Sequence, residues 1–444
     1  MLAARTSSTA ASFRPKRQGI RPEEAVSLAI RAVIVLALAP VAPAARAYMP
    51  TQAHQRSTLP GVRAAALGGA YAALADDPTG GYYNPAGMAF AKESSLSVSA
   101  NAFHRSTLTY EKALSGDDFS EHTQSIYPSF AGSLNRFGPF AVGYSYLTLD
   151  SREIDQADRF ENVSEDYGNL QTYSRTHQET QKSVGAGVSA SLKLGGRLSV
   201  GLSQFGYYRS FSASTHQLAE LNGGGLLIAD TKYEGKNMGL LTVAGLMARL
   251  GPMSIGLVGR FPQAISDEAV VHTDVIYEPP GDTVEPEIGK TDVDSTFFEE
   301  MMPRTYQLGL AWLPGRAFTL STEVLYHEGI ANSDPDSVVP PLEPMLNYSV
   351  GVEAKLAKLA VRLGAFTDNS MTLEPVEGEM NQPTHVDFIG LSGGLGIETK
   401  QYDIGVTLTK KAGKGKAQII SGRDTTQNVK AESESLVLGG RYSF

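Results

Sequence analysis

The sequence predicts an all-β protein: a transmembrane antiparallel β-barrel of about fourteen strands, with an N-terminal hatch, or plug, inside its lumen. Three observations predict it. The chain opens on an export signal. From Ser94 onward hydrophobicity alternates with a period of two, in segments joined alternately by short and long connections. Between signal and strands lies a Gly- and Ala-rich segment, too small-sided to build a core of its own and too apolar for a solvated linker.

The signal comes first. Basic residues (Arg5, Arg14, Lys16, Arg17, Arg21, Arg31) precede an apolar run, Ala32–Pro43, and then Ala45-Arg46-Ala47. That order marks a secretory signal over residues 1–47. The run is far short of the ~20 residues that a spanning helix needs. Its removal takes away seven Lys/Arg and two Asp/Glu, so the formal charge falls from −9 to −14. A chain this acidic argues against a nucleic-acid partner, which needs Lys and Arg against phosphate. An exported chain with no cysteine has neither disulfides nor thiolate metal sites. A mean hydropathy near −0.16 fits a barrel, whose lumen takes half of each strand's residues.

The segment Gly61–Phe90 is the candidate hatch, with bounds at residues 48–92. Gly68, Gly69, Gly80, Gly81 and Gly87 let the backbone turn tightly against a wall. Pro78 and Pro85 keep it from adding a strand to the sheet. Asp76, Asp77 and Asn84 can bond neighbouring backbone amides and hold local turns, which assigns them structural or gating roles.

Residues 93–444 are the barrel. Its strands are predicted at Ser94–Tyr110, Ser125–Leu134, Phe140–Asp150, His177–Leu194, Leu198–Ser212, Lys236–Leu250 and Ser254–Ile265. The rest are Pro303–Leu313, Ala317–Tyr326, Leu346–Leu356, Leu359–Asp368, Phe388–Glu398, Tyr402–Lys410 and Ser435–Phe444. Short connections such as Gly195–Arg197 and Gly251–Met253 read as periplasmic turns, and long polar ones as outer loops. Ile255, Leu257 and Phe261 share one parity, with Ser254 and Arg260 on the other. Tyr306, Leu308, Leu310 and Trp312 likewise oppose Gln307 and Gly309. Trp312 and the strand-end tyrosines suit an interfacial girdle. The last strand ends on Phe444 and resembles the signal read by the outer-membrane barrel assembly machinery.

The order Gly68-Gly69-Ala70, Ala75-Asp76-Asp77, Asn84-Pro85-Ala86 resembles the hatch of the FadL-type outer-membrane transporters of hydrophobic compounds, which include TodX-like proteins. NYSVGVEAKL, LAVRLGAF and LSGGLGIE resemble that family's late strands. The resemblance implies a monomeric channel in the outer membrane of a Gram-negative bacterium. It implies passive uptake of long-chain fatty acids or similar lipophilic molecules, gated by Gly68, Gly69, Asp76, Asp77, Asn84, Pro85 and Ala86. It places two access loops at Ala213–Gly235 and Ser266–Met302. Leu226 and Leu227 in the first, and Phe297 and Phe298 in the second, read as a greasy ligand contact or as self-packing over the mouth. Arg260 and Arg362 should point inward, to meet a ligand carboxylate or to join a structural network. No motif for a cofactor, a metal or catalysis stands out, so no enzyme activity is expected. Two alternatives compete with the channel: a PorV-like secretion-associated barrel that passes nothing, and a surface enzyme acting on lipid.

Overall fold

Each period-two segment forms a strand, because alternate side chains then face opposite sides of one wall. The computed structural model describes residues 54–163, 170–279, 287–295, 302–315, 317–331, 341–379, 382–419 and 425–444. The export signal, Phe297 and Phe298 lie outside the described residues.

The strands are β1 Ser95–Tyr110, β2 Phe119–Phe137, β3 Phe140–Glu161, β4 Leu170–Leu194, β5 Leu198–Leu221, β6 Leu226–Leu250, β7 Met253–Glu278 and β8 Glu287–Ser295. They continue as β9 Thr305–Trp312, β10 Phe318–His327, β11 Met345–Leu356, β12 Leu359–Asp368, β13 His385–Glu398, β14 Tyr402–Ala417 and β15 Gln427–Ser443. All pairings are antiparallel, and β15 returns to β1 to close the sheet. Strand β7 is shared: its first part pairs with β9 from Met253 to Arg260, and its outer part with β8 from Ala269 to Tyr277. Setting β8 aside as an outer addition, fourteen strands make the barrel. Closure removes the two free edges that an open sheet would present to the hydrocarbon, where unpaired backbone groups are costly.

The parities hold. Leu257 is 50 % exposed and Trp312 43 %, on the outside, whereas Ser254 is 0 % and Gln307 3 %, on the inside. The lengths differ from expectation. Strands β3 to β7 run to 22, 24, 25 or 26 residues, where about 9–11 suffice to cross the hydrocarbon. Ala213–Gly235 is therefore not an access loop but the outer part of a hairpin, with β5 and β6 paired out to Glu220 and Leu226. Much of Ser266–Met302 likewise belongs to β7 and β8. Beyond the membrane both faces of a strand meet water, so apolar contrast fades while the backbone ladder continues. That is why these stretches read as loops.

Inside the barrel runs the N-terminal segment, with a short helix α1 Val62–Ala66, another, α2 Gly80–Tyr83, and a 3-10 helix Pro85–Phe90. Its residues are buried almost throughout. Wall hydroxyls on separate strands donate to its carbonyls: Thr407 to Val62 at 2.9 Å, Ser392 to Ala66 at 2.9 Å, Ser254 to Ala73 at 2.7 Å and Ser203 to Gly81 at 2.7 Å. These bonds supply the partners that its irregular backbone cannot find in a ladder.

Candidate functional site

The buried N-terminal segment makes the floor. Gly68 and Gly69 adopt φ of 62° and 77°, where only glycine is unstrained, and the Gly68 carbonyl accepts from Arg56 Nη2 at 2.8 Å. Asn84 Nδ2 donates to the Ala72 carbonyl at 2.8 Å and to Leu246 on the wall at 3.1 Å, while its Oδ1 accepts from Ala86 N. Pro85 opens the 3-10 helix, where a missing N–H costs nothing. The Ala86 carbonyl accepts from Ser199. Asp77 caps a turn by accepting from Thr79 N at 2.9 Å, and its other oxygen accepts from the Tyr71 hydroxyl. Asp76 does something else: it pairs with Arg63 at 3.3 Å and with Arg249 of β6 at 3.0 Å. Burial works to raise its pKa, but those two guanidiniums outweigh it and hold the carboxyl below its ordinary range.

Beneath the floor lies a charge network, and it decides the role of Arg362. This side chain is 1 % exposed. Its Nε donates to Glu353 at 2.7 Å, its Nη2 to Glu398, and Asp403 stands 4.0 Å away. Glu353 in turn binds Arg63 of the buried segment at 2.9 Å. Arg362 is thus saturated by carboxylates, so of its two readings the structural network is the one realised and the ligand contact is not. Breaking a buried network leaves uncompensated charge, so Arg362→Ala is expected to cost about 3–5 kcal/mol in urea unfolding of the micelle-bound barrel, with ligand affinity unchanged. Lost affinity at full stability would refute this assignment.

The roof is apolar. Leu108, Phe119, Tyr173, Leu227, Tyr277 and Phe388 belong to one buried cluster drawn from strands around the outer barrel. Leu227 is 3 % exposed within it, so of its two readings the self-packed one is realised; Leu226 is half-buried on the opposite parity.

Between floor and roof lies a chamber of ≈ 190 Å³. Arg260 of β7 lines it, as the parity of its strand requires. Its Nη1 donates to Gln307 Oε1 at 2.5 Å, and its Nη2 to the carbonyls of Tyr82 at 3.0 Å and Tyr83 at 3.4 Å. Sequence reasoning missed Arg56, Tyr83, Arg209, His327 and Lys411, which also line the chamber. Inward parity could have flagged the wall residues; nothing in the pattern marks Arg56 or Tyr83.

Beside this chamber two long strands part early. Strands β2 and β3 pair only from Phe130–Leu147 to Phe137–Phe140. Farther out side chains bridge them, with Thr148 Oγ1 donating to the Pro128 carbonyl at 2.5 Å and Gln156 Nε2 to Ser120 at 2.8 Å. Pro128 brings no N–H to a ladder, and β3 bulges between Thr148 and Asp150. Leu149, Asp150, Ser151 and Arg152, at that bulge, line the chamber.

A closed barrel of fourteen strands with an apolar outer belt defines the class: a transmembrane β-barrel of the outer membrane. Its fold is that of the FadL/TodX-type transporters. The P. putida toluene transporter TodX matches with a TM-score of 0.62 at 13 % identity, over 86 % of this chain and 98 % of that one. A Pseudomonas aeruginosa FadL homologue matches with 0.60 at 12 %, over 87 % and 98 %. The Ralstonia pickettii toluene transporter TbuX matches with 0.59 at 14 %, over 86 % and 98 %. No family model and no curated protein matches the sequence.

Proposed function

We propose that the chain is an outer-membrane channel for passive uptake of hydrophobic compounds, long-chain fatty acids or similar lipophilic molecules, and that the buried N-terminal segment is its gate. The observation that carries this reading is the chamber: it is lined below by the buried segment, meets the apolar cluster of the outer barrel at Phe388, and is bordered by the β2–β3 seam. A pore for hydrophilic solutes needs a wet, open lumen. A lumen plugged by the segment and bordered by an apolar outer cluster instead favours molecules that partition into it, and the seam offers a way out into the membrane once the hatch shifts. The fold shared with toluene transporters supports the same reading by analogy. Catalysis has no part in it, the barrel acts as a single copy, and Phe444 serves its assembly.

The test is uptake of radiolabelled oleate and toluene by Gram-negative cells producing the chain, against cells carrying an empty vector. The lipopolysaccharide leaflet slows both compounds. A working channel therefore raises uptake of at least one about tenfold or more, the equivalent of about 1.4 kcal/mol off the barrier to entry. Equal uptake of both labels in the two strains would sink the proposal.

A further inference from the structure

The chamber carries polar groups for which a passage for bare hydrocarbon has no use. Arg260 is 8 % exposed, yet among the described residues its guanidinium bonds only neutral acceptors and its Nε has no partner. It lies over the Tyr82 ring, 4.9 Å from the centroid. Arg56, 5 % exposed, also spends its side chain on neutral groups: Ser349 Oγ at 2.8 Å, the Thr367 carbonyl at 3.3 Å and the Gly68 carbonyl. Neither arginine forms an ion pair among the described residues. Glu323, on the same stretch of wall, accepts instead from the backbone amides of Tyr71 at 3.0 Å and Ala72 at 2.8 Å.

Three further buried atoms of the chamber lining lack a partner among the described residues: the Tyr83 hydroxyl, His327 Nε2 and His104 Nδ1. The other nitrogen of His327 is fixed at 3.0 Å from Thr305 Oγ1. Burial holds the Tyr83 phenol well above its ordinary range, so it keeps its proton and remains a donor. Arg56 and Tyr83 come from the buried segment, Arg260 from β7 and His327 from β10, and all four line the same chamber. Glu323 is the nearby carboxylate that the two guanidiniums share, which leaves one positive charge over, and buried excess charge and buried donors without acceptors are costly. An anionic oxygen group satisfies both at once.

The rest of the lining sets the size and character of the body attached to that group. Tyr82, Leu149 and Met302 pack against the buried cluster of Phe130, Leu147 and Leu241 and give one apolar side. At ≈ 190 Å³ the chamber is a little larger than the ~150 Å³ cavity that takes up benzene, which is room for one ring and a head group.

We propose that the chamber binds a compact one-ring amphiphile with an anionic oxygen head, an arene carboxylate, its head held by Arg260, Arg56, Tyr83 and His327 and its ring against Tyr82, Leu149 and Met302. This rests on the channel reading and narrows its substrate. The head group joins the gate to the wall, and a hydrocarbon of the same shape leaves Arg260 Nε, the Tyr83 hydroxyl and His327 Nε2 unanswered. Sites built to pair a polar group reject the analogue that lacks it.

The experiment is calorimetric titration of the full mature protein in detergent with benzoate and with toluene, the same ring with and without a carboxylate. Benzoate is expected to bind about tenfold or more tightly than toluene. Arg260→Gln and Tyr83→Phe should each weaken benzoate about tenfold, leave toluene unchanged, and keep the heat-modifiable gel mobility of a folded barrel. Arg260→Lys should retain part of the affinity. Equal affinities, or benzoate binding indifferent to both substitutions, would overturn the head-group site while leaving the channel standing. Failure of benzoate to bind overturns it as well. If cells then also take up neither oleate nor toluene, the channel reading falls with it.

Discussion

Oxidation of a Gly81→Cys/Ser189→Cys variant is expected to stop uptake, and reduction to restore it. Gly81 is the second residue of α2 of the buried segment, and a Cβ placed on it would stand 3.6 Å from the Cβ of Ser189 on β4. That separation lies within the ~3.5–4.5 Å that a disulfide spans. The native chain has no cysteine, so no other pairing can form. The site is already a point of attachment: Ser203 Oγ donates to the Gly81 carbonyl and accepts from Ser189 Oγ, each at 2.7 Å. A covalent bond makes that attachment permanent. If the segment must leave this wall for a ligand to pass, uptake in the oxidised state falls to the empty-vector level, roughly the whole of the tenfold gain, and dithiothreitol returns it. Mass spectrometry confirms the bond in the same sample. Undiminished uptake with the bond in place would remove the gate from the mechanism and leave the seam between β2 and β3 as a passage needing no movement of the floor.

The period of a strand explains both what the sequence disclosed and what it concealed. Alternation states which way a side chain points, so the inward aim of Arg260 and the outward belt of Leu257, Leu308 and Trp312 were legible. It does not state height along the barrel axis or the stagger between neighbours. Arg260 and Arg362 share inward parity, yet one reaches the chamber and the other a network below the floor. The partners of Arg362 sit on β11, β13 and β14, and only register brings Glu353, Glu398 and Asp403 together. Fading apolar contrast beyond the membrane turned the outer half of the β5–β6 hairpin into a loop and left Leu227 with two readings, ligand contact or packing over the mouth. In the buried segment the turn-forming roles of Asp77 and Asn84 were readable from residue type. The ion pairs of Asp76 were not, because Arg249 is distant in sequence. Arg56 and Tyr83 gave no signal, since a segment of irregular backbone has no period from which to read a direction.

Glycines on the inner wall mark where floor and barrel touch, and the consequence is testable at Gly364. A Cβ there would lie 2.3 Å from the Gly68 nitrogen and 2.5 Å from the Leu67 carbonyl carbon. Both are backbone atoms in the turn that follows α1, held by the φ of 62° at Gly68, and cannot swing aside as a side-chain tip would. Gly364→Val therefore drives the segment off the wall or strains β12. Overpacking of this kind costs about 1–3 kcal/mol and should lower the urea midpoint. A displaced floor should also admit hydrophilic antibiotics to cells producing the variant. Gly393→Val is the matched control: its Cβ would meet only Leu363 Cδ2, at 3.7 Å, on the lipid-facing parity of the neighbouring strand. That substitution adds the same side chain without touching the floor, so it should change neither stability nor antibiotic sensitivity. If the two variants behave alike, close contact at Gly364 is not what seats the segment, and its hydroxyl and ion-pair attachments carry that role. If only Gly364→Val leaks, the bare backbone of the wall is part of the seal.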